Sequence, residues 1–299
     1  MATHPFSTPT GVGPKFINTE KLMTDTKTLS SLLPEDVNLV IGIARSGLPA
    51  ATMVSMLLHL PLLIFRQSEK DLISAGHGWR LQGAREFDGK PVVIDDTVMS
   101  GRSLKETMPA VWKQFPKAIS ATVYCNPLSR HKPNYFVEEW YYPQIAEWNL
   151  PNSIYSPHNA LDFDGILCED CPRDSDDDGE KYVRFLETAR PKYITRRGYI
   201  PLIVTGRLEK YRPQTEAWLR KWNVAYHQLE MWPGTFLGRT VRKVAEFKAK
   251  HFKAFLEKVH EVKPPMFVES DPSQAQLISQ LTDGITVCPA IQKCFQSGK

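Results

Sequence analysis

The sequence predicts an α/β protein of two domains, each a parallel sheet flanked by helices. Three observations carry this expectation. Short apolar, β-branched runs alternate with amphipathic helical stretches along nearly the whole chain, the pattern of parallel sheets covered on both faces. The 299 residues suffice for two domains of ordinary size, and 42% hydrophobic with 23% charged residues is a globular composition. The alternation breaks between Pro127 and His158, a proline-rich stretch holding the aromatic cluster Trp140-Tyr141-Tyr142. The boundary is placed in this stretch, near Ser156, giving domains of residues 1–155 and 156–299.

The expected strands of the first half are Val37–Ile43, Pro61–Phe65, Pro91–Asp95 and Ile119–Cys125. Those of the second are Ala160–Asp162, Tyr199–Val204, Pro265–Glu269 and Ile285–Cys288. Each is a short, β-branched apolar run of the kind that parallel sheets bury on both faces. Helices are expected near Leu48–Leu60, Leu104–Phe115, Tyr182–Ala189, Thr215–Trp222, Val241–Val259 and Gln274–Leu281. The uncharged run from Ser46 to Phe65 is about long enough to span a bilayer, but Pro49, His59 and Pro61 punctuate it. Pro49 suits a first helical turn, whereas Pro61 cannot continue that helix and starts the next strand. The run therefore reads as a buried helix followed by a strand, and no membrane partner is expected.

Composition excludes other classes. With 37 basic and 33 acidic side chains the net charge is +4, too small for the concentrated basic face that argues for a nucleic-acid partner. Five cysteines in a chain of this size point to reduced thiols and a cytoplasmic protein. The opening Met1 to Phe6 lacks a secretory pattern. A homo-oligomer is left open.

The stretch Val92-Val93-Ile94-Asp95-Asp96-Thr97-Val98-Met99-Ser100-Gly101-Arg102-Ser103-Leu104 is the most informative of the first half. A buried strand delivers two adjacent carboxylates to its carboxyl end, where ligands bind in parallel α/β sheets. A turn with hydroxyls and Gly101 then opens a helix, and backbone N–H groups there form a phosphate cradle. Carboxylates beside a phosphate site would repel the ligand unless they bind sugar hydroxyls or a metal, so a phosphorylated sugar satisfies both halves. This stretch resembles the phosphoribosyl-pyrophosphate motif of type I phosphoribosyltransferases. The resemblance implies the type I phosphoribosyltransferase fold, with Asp95 and Asp96 on the ribose hydroxyls. It places Thr97, Ser100, Gly101, Arg102 and Ser103 around the 5′-phosphate. Upstream, Ile41-Gly42-Ile43-Ala44-Arg45-Ser46-Gly47 looks like the family's pyrophosphate loop, with Arg45, Ser46 and Gly47 on the leaving group. Between the two lies a polar segment, Arg66 to Lys90, with Gly76, Gly78, Gly83, Gly89, Lys70, His77 and Arg80. The family has a mobile loop here that closes over the reaction.

In the second half, Ala160-Leu161-Asp162-Phe163-Asp164-Gly165 is again a strand ending in carboxylates, now at alternate positions. Their charges crowd on one side if the strand continues, and a divalent cation with a preference for oxygen ligands relieves that. One carboxylate can then attack a phosphoryl group while the other handles the leaving-group proton. The pattern resembles the first motif of haloacid-dehalogenase-type phosphatases. Further motifs follow in order: Val204-Thr205-Gly206-Arg207, the helical Phe247-Lys248-Ala249-Lys250, and Val268-Glu269-Ser270-Asp271. The resemblance implies a HAD-like Rossmannoid fold with a small cap and a catalytic set of Asp162, Asp164, Thr205 and Lys248. Asp162, Asp164, Glu269 and Asp271 become the metal-side carboxylates. Lys248 is favoured over Lys250, and Glu269 and Asp271 both stay open as the direct ligand.

Two signals are declined. Asp174 to Gly179 opens like a calcium-binding loop but has Phe185 where a bidentate glutamate is required, so it reads as a solvated acidic loop opening the cap. Cys168 and Cys171 have zinc-ligand spacing without a second pair. The expectation is then a bifunctional, Mg²⁺-dependent enzyme of nucleotide metabolism. Phosphoribosyl pyrophosphate, a nucleobase-like acceptor and a phosphate monoester are its small-molecule partners. The alternative is a regulator that binds phosphoribosyl pyrophosphate or a nucleotide without turnover.

Overall fold

A computed structural model describes residues 13–75, 90–141, 144–153, 156–259, 265–282 and 284–297. The chain divides into two compact units. Thr19–Tyr142 belongs to the first; Thr10–Asn18 and Pro143–Lys299 belong to the second. The division falls at Tyr142/Pro143, where the sequence places it near Ser156, and a short N-terminal segment joins the second unit.

In chain order the regular elements are β1 (Lys15–Ile17), α1 (Thr19–Leu32), β2 (Val37–Ile43), α2 (Leu48–Leu58), β3 (Leu62–Arg66), β4 (Asp71–Ser74), β5 (Lys90–Val98), α3 (Arg102–Trp112), β6 (Ile119–Cys125), β7 (Tyr135–Glu139) and β8 (Gln144–Ala146). They continue as β9 (Ala160–Leu161), α4 (Glu180–Thr188), β10 (Ile200–Leu208), α5 (Arg212–Lys221), β11 (Tyr226–Trp232), α6 (Val241–Leu256), β12 (Met266–Val268), α7 (Pro272–Leu281), β13 (Ile285–Cys288) and β14 (Lys293–Gln296).

The first unit is built on a sheet of order β4-β3-β2-β5-β6-β7, parallel except for β4. Residues alternate between its faces. Leu39, Ile41, Ile43 and Val93 pack with Leu104, Met108 and Val111 of α3, so Val40, Val92 and Ile94 face the other side, and all are buried. Helices α1 and α2 pack on each other and α2 lies on β2 and β5. Helix α1 escapes a reading by hydropathy because its sequence is polar, yet Leu22, Thr26 and Leu29 form a buried stripe at helical spacing. The chain goes from β2 outward to β3 and then returns to the other side of β2 as β5. The strand order therefore reverses between β2 and β5, which is where open α/β sheets open a crevice at their carboxyl ends.

The second unit has a sheet of order β11-β10-β9-β12-β13-β14, parallel except for β14, and a two-stranded ladder pairing β1 with β8. Here β9 is central, β10 lies on one side and β12 on the other. A core on one side gathers Phe163, Ile203, Trp218, Leu219 and Val268. Another gathers Ala160, Leu202, Val204, Ala249, Phe252 and Phe267 under α6 and α7. Thr240 caps α6, and Asp271 followed by Pro272 starts α7. No helix among the described residues is long and apolar enough to cross a membrane.

Candidate functional site

In the first unit the crevice between β2 and β5 receives two turns. One, Ala44–Gly47, follows β2; the other, Met99–Gly101, follows β5. The helices they open, α2 and α3, carry no side-chain cap and no acidic residue in the first turn. The positive ends of their dipoles therefore face the turns without an acidic counter-charge, while the first amide of each is engaged locally, Leu48 by the Arg45 carbonyl at 3.2 Å and Arg102 by the Ser100 hydroxyl. Glycine is required in both turns. A Cβ on Gly47 would lie 2.9 Å from the Asp95 Cα and 2.7 Å from the Ile94 carbonyl oxygen. Gly101 has φ +76°, and a Cβ there would meet the His131 carbonyl oxygen at 2.4 Å.

Strand β5 runs on to Val98 and carries Asp95 and Asp96 into this crevice, both buried. Ser103 donates its hydroxyl to Asp95 Oδ2 at 3.1 Å and accepts from Gln67 Nε2 at 2.8 Å. Asp96 accepts from the Thr97 amide at 2.8 Å and from the Ser46 hydroxyl. Among the described residues no cationic side chain touches either carboxylate. Burial, then the neighbouring charge of Asp96, pushes Asp95 up to about 8, and burial also raises Asp96.

Arg45 and Ser46 are exposed at the turn, and the Ala44–Arg45 peptide is cis. The Ser100 hydroxyl accepts from the Arg102 amide at 3.3 Å. The Arg102 side chain itself runs along the exposed face of α3 to Glu106, 2.7 Å away, rather than toward the carboxylates. Of the expected closing loop, Gly76, His77, Gly78, Arg80, Gly83 and Gly89 lie outside the described residues. Lys70 has φ +56° in the turn between β3 and β4, and Arg66 pairs with Asp71 across it at 2.5 Å.

In the second unit the carboxyl ends of β9, β10 and β12 converge. Asp162 follows β9, Thr205 lies within β10, and Glu269 follows β12; all three are buried. Lys248 reaches them from α6, with Nζ 2.9 Å from Asp162 Oδ2 and 2.7 Å from Glu269 Oε2. It is 2% exposed, whereas Lys250 is on the outer face of the helix. Its pKa is raised by the two carboxylates against the penalty of burial. Asp162 is pushed well up by burial and by Glu269.

Asp164 binds Arg207, which is fully buried at the end of β10. Nη2 lies 2.6 Å from Oδ1 and Nε 3.0 Å from Oδ2, with the guanidinium 3.9 Å above the Phe163 ring. The Arg207 amide donates to the Thr205 hydroxyl at 3.2 Å. Asp271 caps α7 through the Gln274 amide, and its own amide donates to Glu269 Oε1. Nothing in the sequence marks a role for Arg207, because its partner Asp164 lies 43 residues away.

These residues wall a cavity of about 260 Å³, with Asp170, Cys171, Asp176, Tyr182 and Arg239 on its remaining side. The acidic loop is not simply solvated, as expected from sequence. Asp176 pairs with Arg239 at 2.7 Å, Asp177 caps α4 through the Gly179 amide at 2.9 Å, and Asp178 pairs with Lys210 at 2.8 Å. Among the described lining residues six carboxylates face two cations, Lys248 and Arg239. Burial and then the Asp164 charge raise Asp170. This oxygen-rich, negatively unbalanced donor set fits a divalent cation such as Mg²⁺. No three His, Cys, Asp or Glu side chains among the described residues already form a metal cluster; Mg²⁺ commonly takes one or two carboxylates and completes its shell with water and substrate phosphate. Burial pushes the Cys171 thiol up to about 12, which disfavours the thiolate that zinc needs.

Comparison with known proteins adds to this geometry. The family model described as the phosphoribosyl transferase domain matches residues 25–149. An orotate phosphoribosyltransferase of Methanosarcina mazei is 34% identical over 104 residues, 32% of this chain and 54% of that one. A transcriptional regulator GfcR of Archaeoglobus fulgidus is 32% identical over 99 residues, 32% of this chain and 51% of its own. The chain thus spans about half the length of the curated relatives it matches. A purine phosphoribosyltransferase structure from Pyrococcus horikoshii covers 46% of this chain and 94% of its own at 20% identity, with a TM-score of 0.36. Residues 25–149 are thus similar in sequence to a phosphoribosyl transferase domain.

Proposed function

We propose that the first unit is a phosphoribosyltransferase acting on phosphoribosyl pyrophosphate. One observation carries this reading: two uncapped helix N-termini flank a buried pair of carboxylates that have no cationic partner among the described residues, at the point where the strand order reverses. Asp95 and Asp96 accept hydrogen bonds from the ribose hydroxyls, and the turn from Val98 to Ser103 binds the 5′-phosphate through its amides. Arg45, Ser46 and Gly47 hold the departing pyrophosphate. The attacking atom is a nitrogen of a base. Orotate heads the candidates because it is named in the relatives' activity.

In the second unit the proposed activity is phosphate monoester hydrolysis. The Asp162 carboxylate attacks phosphorus, the ester oxygen leaves with a proton handled by Asp164, and water then cleaves the aspartyl phosphate. Lys248 stabilises the carboxylate and the phosphoryl oxygens, and Thr205 hydrogen-bonds the latter. Asp162 and Glu269 would hold Mg²⁺, with the Asp164 and Asp271 carboxylates beside them. The cation would offset phosphate charge. Asp164 must leave Arg207 to take part, so Arg207 sets where that carboxylate rests.

The deciding experiment incubates the full chain with phosphoribosyl pyrophosphate, Mg²⁺ and a panel of free bases, read by mass spectrometry. A new nucleotide or nucleoside supports transfer. Binding of phosphoribosyl pyrophosphate with no product from any base supports the second reading, a sensor, which the similarity to a transcriptional regulator favours.

A further inference from the structure

We propose that Arg239 reads a second anionic group on the phosphatase substrate, and that Asp176 holds the place of that group when the cavity is empty. The inference rests on the phosphatase reading of the second unit and names its substrate class: small phosphate monoesters bearing a carboxylate or a second phosphate.

Arg239 is oriented without help from Asp176. Its Nη1 donates to the Gly206 carbonyl at 3.4 Å, it hydrogen-bonds the Tyr182 hydroxyl, and it lies 5.2 Å from the centre of the Phe236 ring. The remaining edge of the guanidinium, Nη2, meets Asp176 at 2.7 and 2.9 Å. A fixed guanidinium on a cavity wall, occupied by a carboxylate, is a carboxylate or phosphate site.

Asp176 is dispensable to its own loop. Asp177 fixes that loop by capping the Gly179 and Tyr182 amides, and Asp178 fixes it through Lys210 and the Tyr211 hydroxyl. The Asp176 carboxylate makes no such bond among the described residues and goes only to Arg239. An incoming anion can therefore displace it without unfolding the loop.

Lys248 cannot serve the same purpose, because Asp162 and Glu269 already engage it. Among the described residues Arg239 touches neither Asp162 nor Glu269. It comes from ahead of α6 and ends at Asp176 and the Gly206 carbonyl, whereas Lys248 comes from about two turns into that helix and ends at Asp162 and Glu269. The cavity of about 260 Å³ has room for a phosphate monoester carrying a second anionic group.

The test uses the full chain with Mg²⁺, carrying Asp162→Asn to prevent turnover, and measures dissociation constants by calorimetry. The probes are ethyl phosphate, 3-phosphoglycerate and propane-1,3-diyl bisphosphate. At least one doubly anionic probe should bind about 10- to 100-fold tighter than ethyl phosphate, the range of a charge-assisted bidentate pair. Asp176→Asn should widen the gap, and Arg239→Met should close it; the stronger of the two probes identifies the second anion. Ethyl phosphate binding with no gap, a gap that survives Arg239→Met, or one that narrows in Asp176→Asn overturns the inference while leaving the phosphatase reading standing. Should Arg239→Met not fold, Asp176→Asn decides. Failure of all three probes to bind removes both.

Discussion

Each unit brings a pair of carboxylates to the carboxyl end of its central parallel strands, yet their surroundings are opposite. Asp95 and Asp96 sit among hydroxyls and amides, with no cation against them among the described residues. Asp162 and Glu269 clasp a buried ammonium, and Asp164 clasps a buried guanidinium. The first arrangement leaves both carboxyl groups without a counter-ion and suits a ligand that arrives with hydroxyl groups. The second carries its own counter-ions, which hold its carboxyl groups in place. Sequence shows carboxylates at strand ends in both cases; only the counter-charge tells the two sites apart.

The comparison breaks most sharply at the reacting carboxylates. Asp162→Asn should reduce phosphate release by on the order of 10⁴-fold or more, as loss of a nucleophile does, while phosphoribosyl transfer by the first unit persists and its nucleotide accumulates. Product analysis by mass spectrometry checks this; identical products from wild type and variant would separate the two activities. Asp95→Asn with Asp96→Asn should abolish transfer with the fold intact by circular dichroism.

The counter-ion is the next lever. Lys248→Ala should lower phosphatase kcat by about 10²–10³-fold and destabilise the second unit by about 3–5 kcal/mol, because it strands two buried carboxylates. Lys250→Ala should stay within about 0.5 kcal/mol. Chemical denaturation and steady-state rates read both, and equal effects of the two would sink the assignment.

The first unit should respond in the other direction. The folded pKa of Asp95, about 8, lies above its unfolded value near about 4. The folded state then binds more protons between these values, so stability falls as pH rises through this window. Asp95→Asn should flatten that slope and raise the melting temperature of the first unit above about pH 8 relative to wild type. A parallel pH profile in variant and wild type would refute it. Smallest of all, Gly101→Ala should cost about 1–2 kcal/mol from its positive φ alone, plus whatever the His131 contact adds, measured by urea unfolding.

Much of the first site was legible because its parts are contiguous: strand, two carboxylates, turn and helix lie within thirteen residues, and each local preference agrees with the fold. Lys248 was legible too, since Val244, Ala245, Lys248, Ala249 and Phe252 form one buried stripe that excludes Lys250. What could not be read is pairing across distance. Arg207 finds Asp164 over 43 residues and Arg239 finds Asp176 over 63, and no spacing rule encodes either. Edge strands such as β7 and β11 were missed because half-buried strands carry polar residues that blur the apolar signal.

The ladder between β1 and β8 has a consequence for how this chain can be made and cut. Phe16, Ile145 and Leu150 belong to the same apolar core as Phe163 and Val268, so a fragment beginning at residue 156 would leave three holes in it. A separately expressed second unit therefore needs residues 10–18 restored, most simply by joining them ahead of residue 143. During synthesis the same geometry imposes a wait. Lys15–Ile17 leaves the ribosome first, but its partner strand follows only after the whole first unit has been made, roughly ten seconds later at ordinary elongation rates.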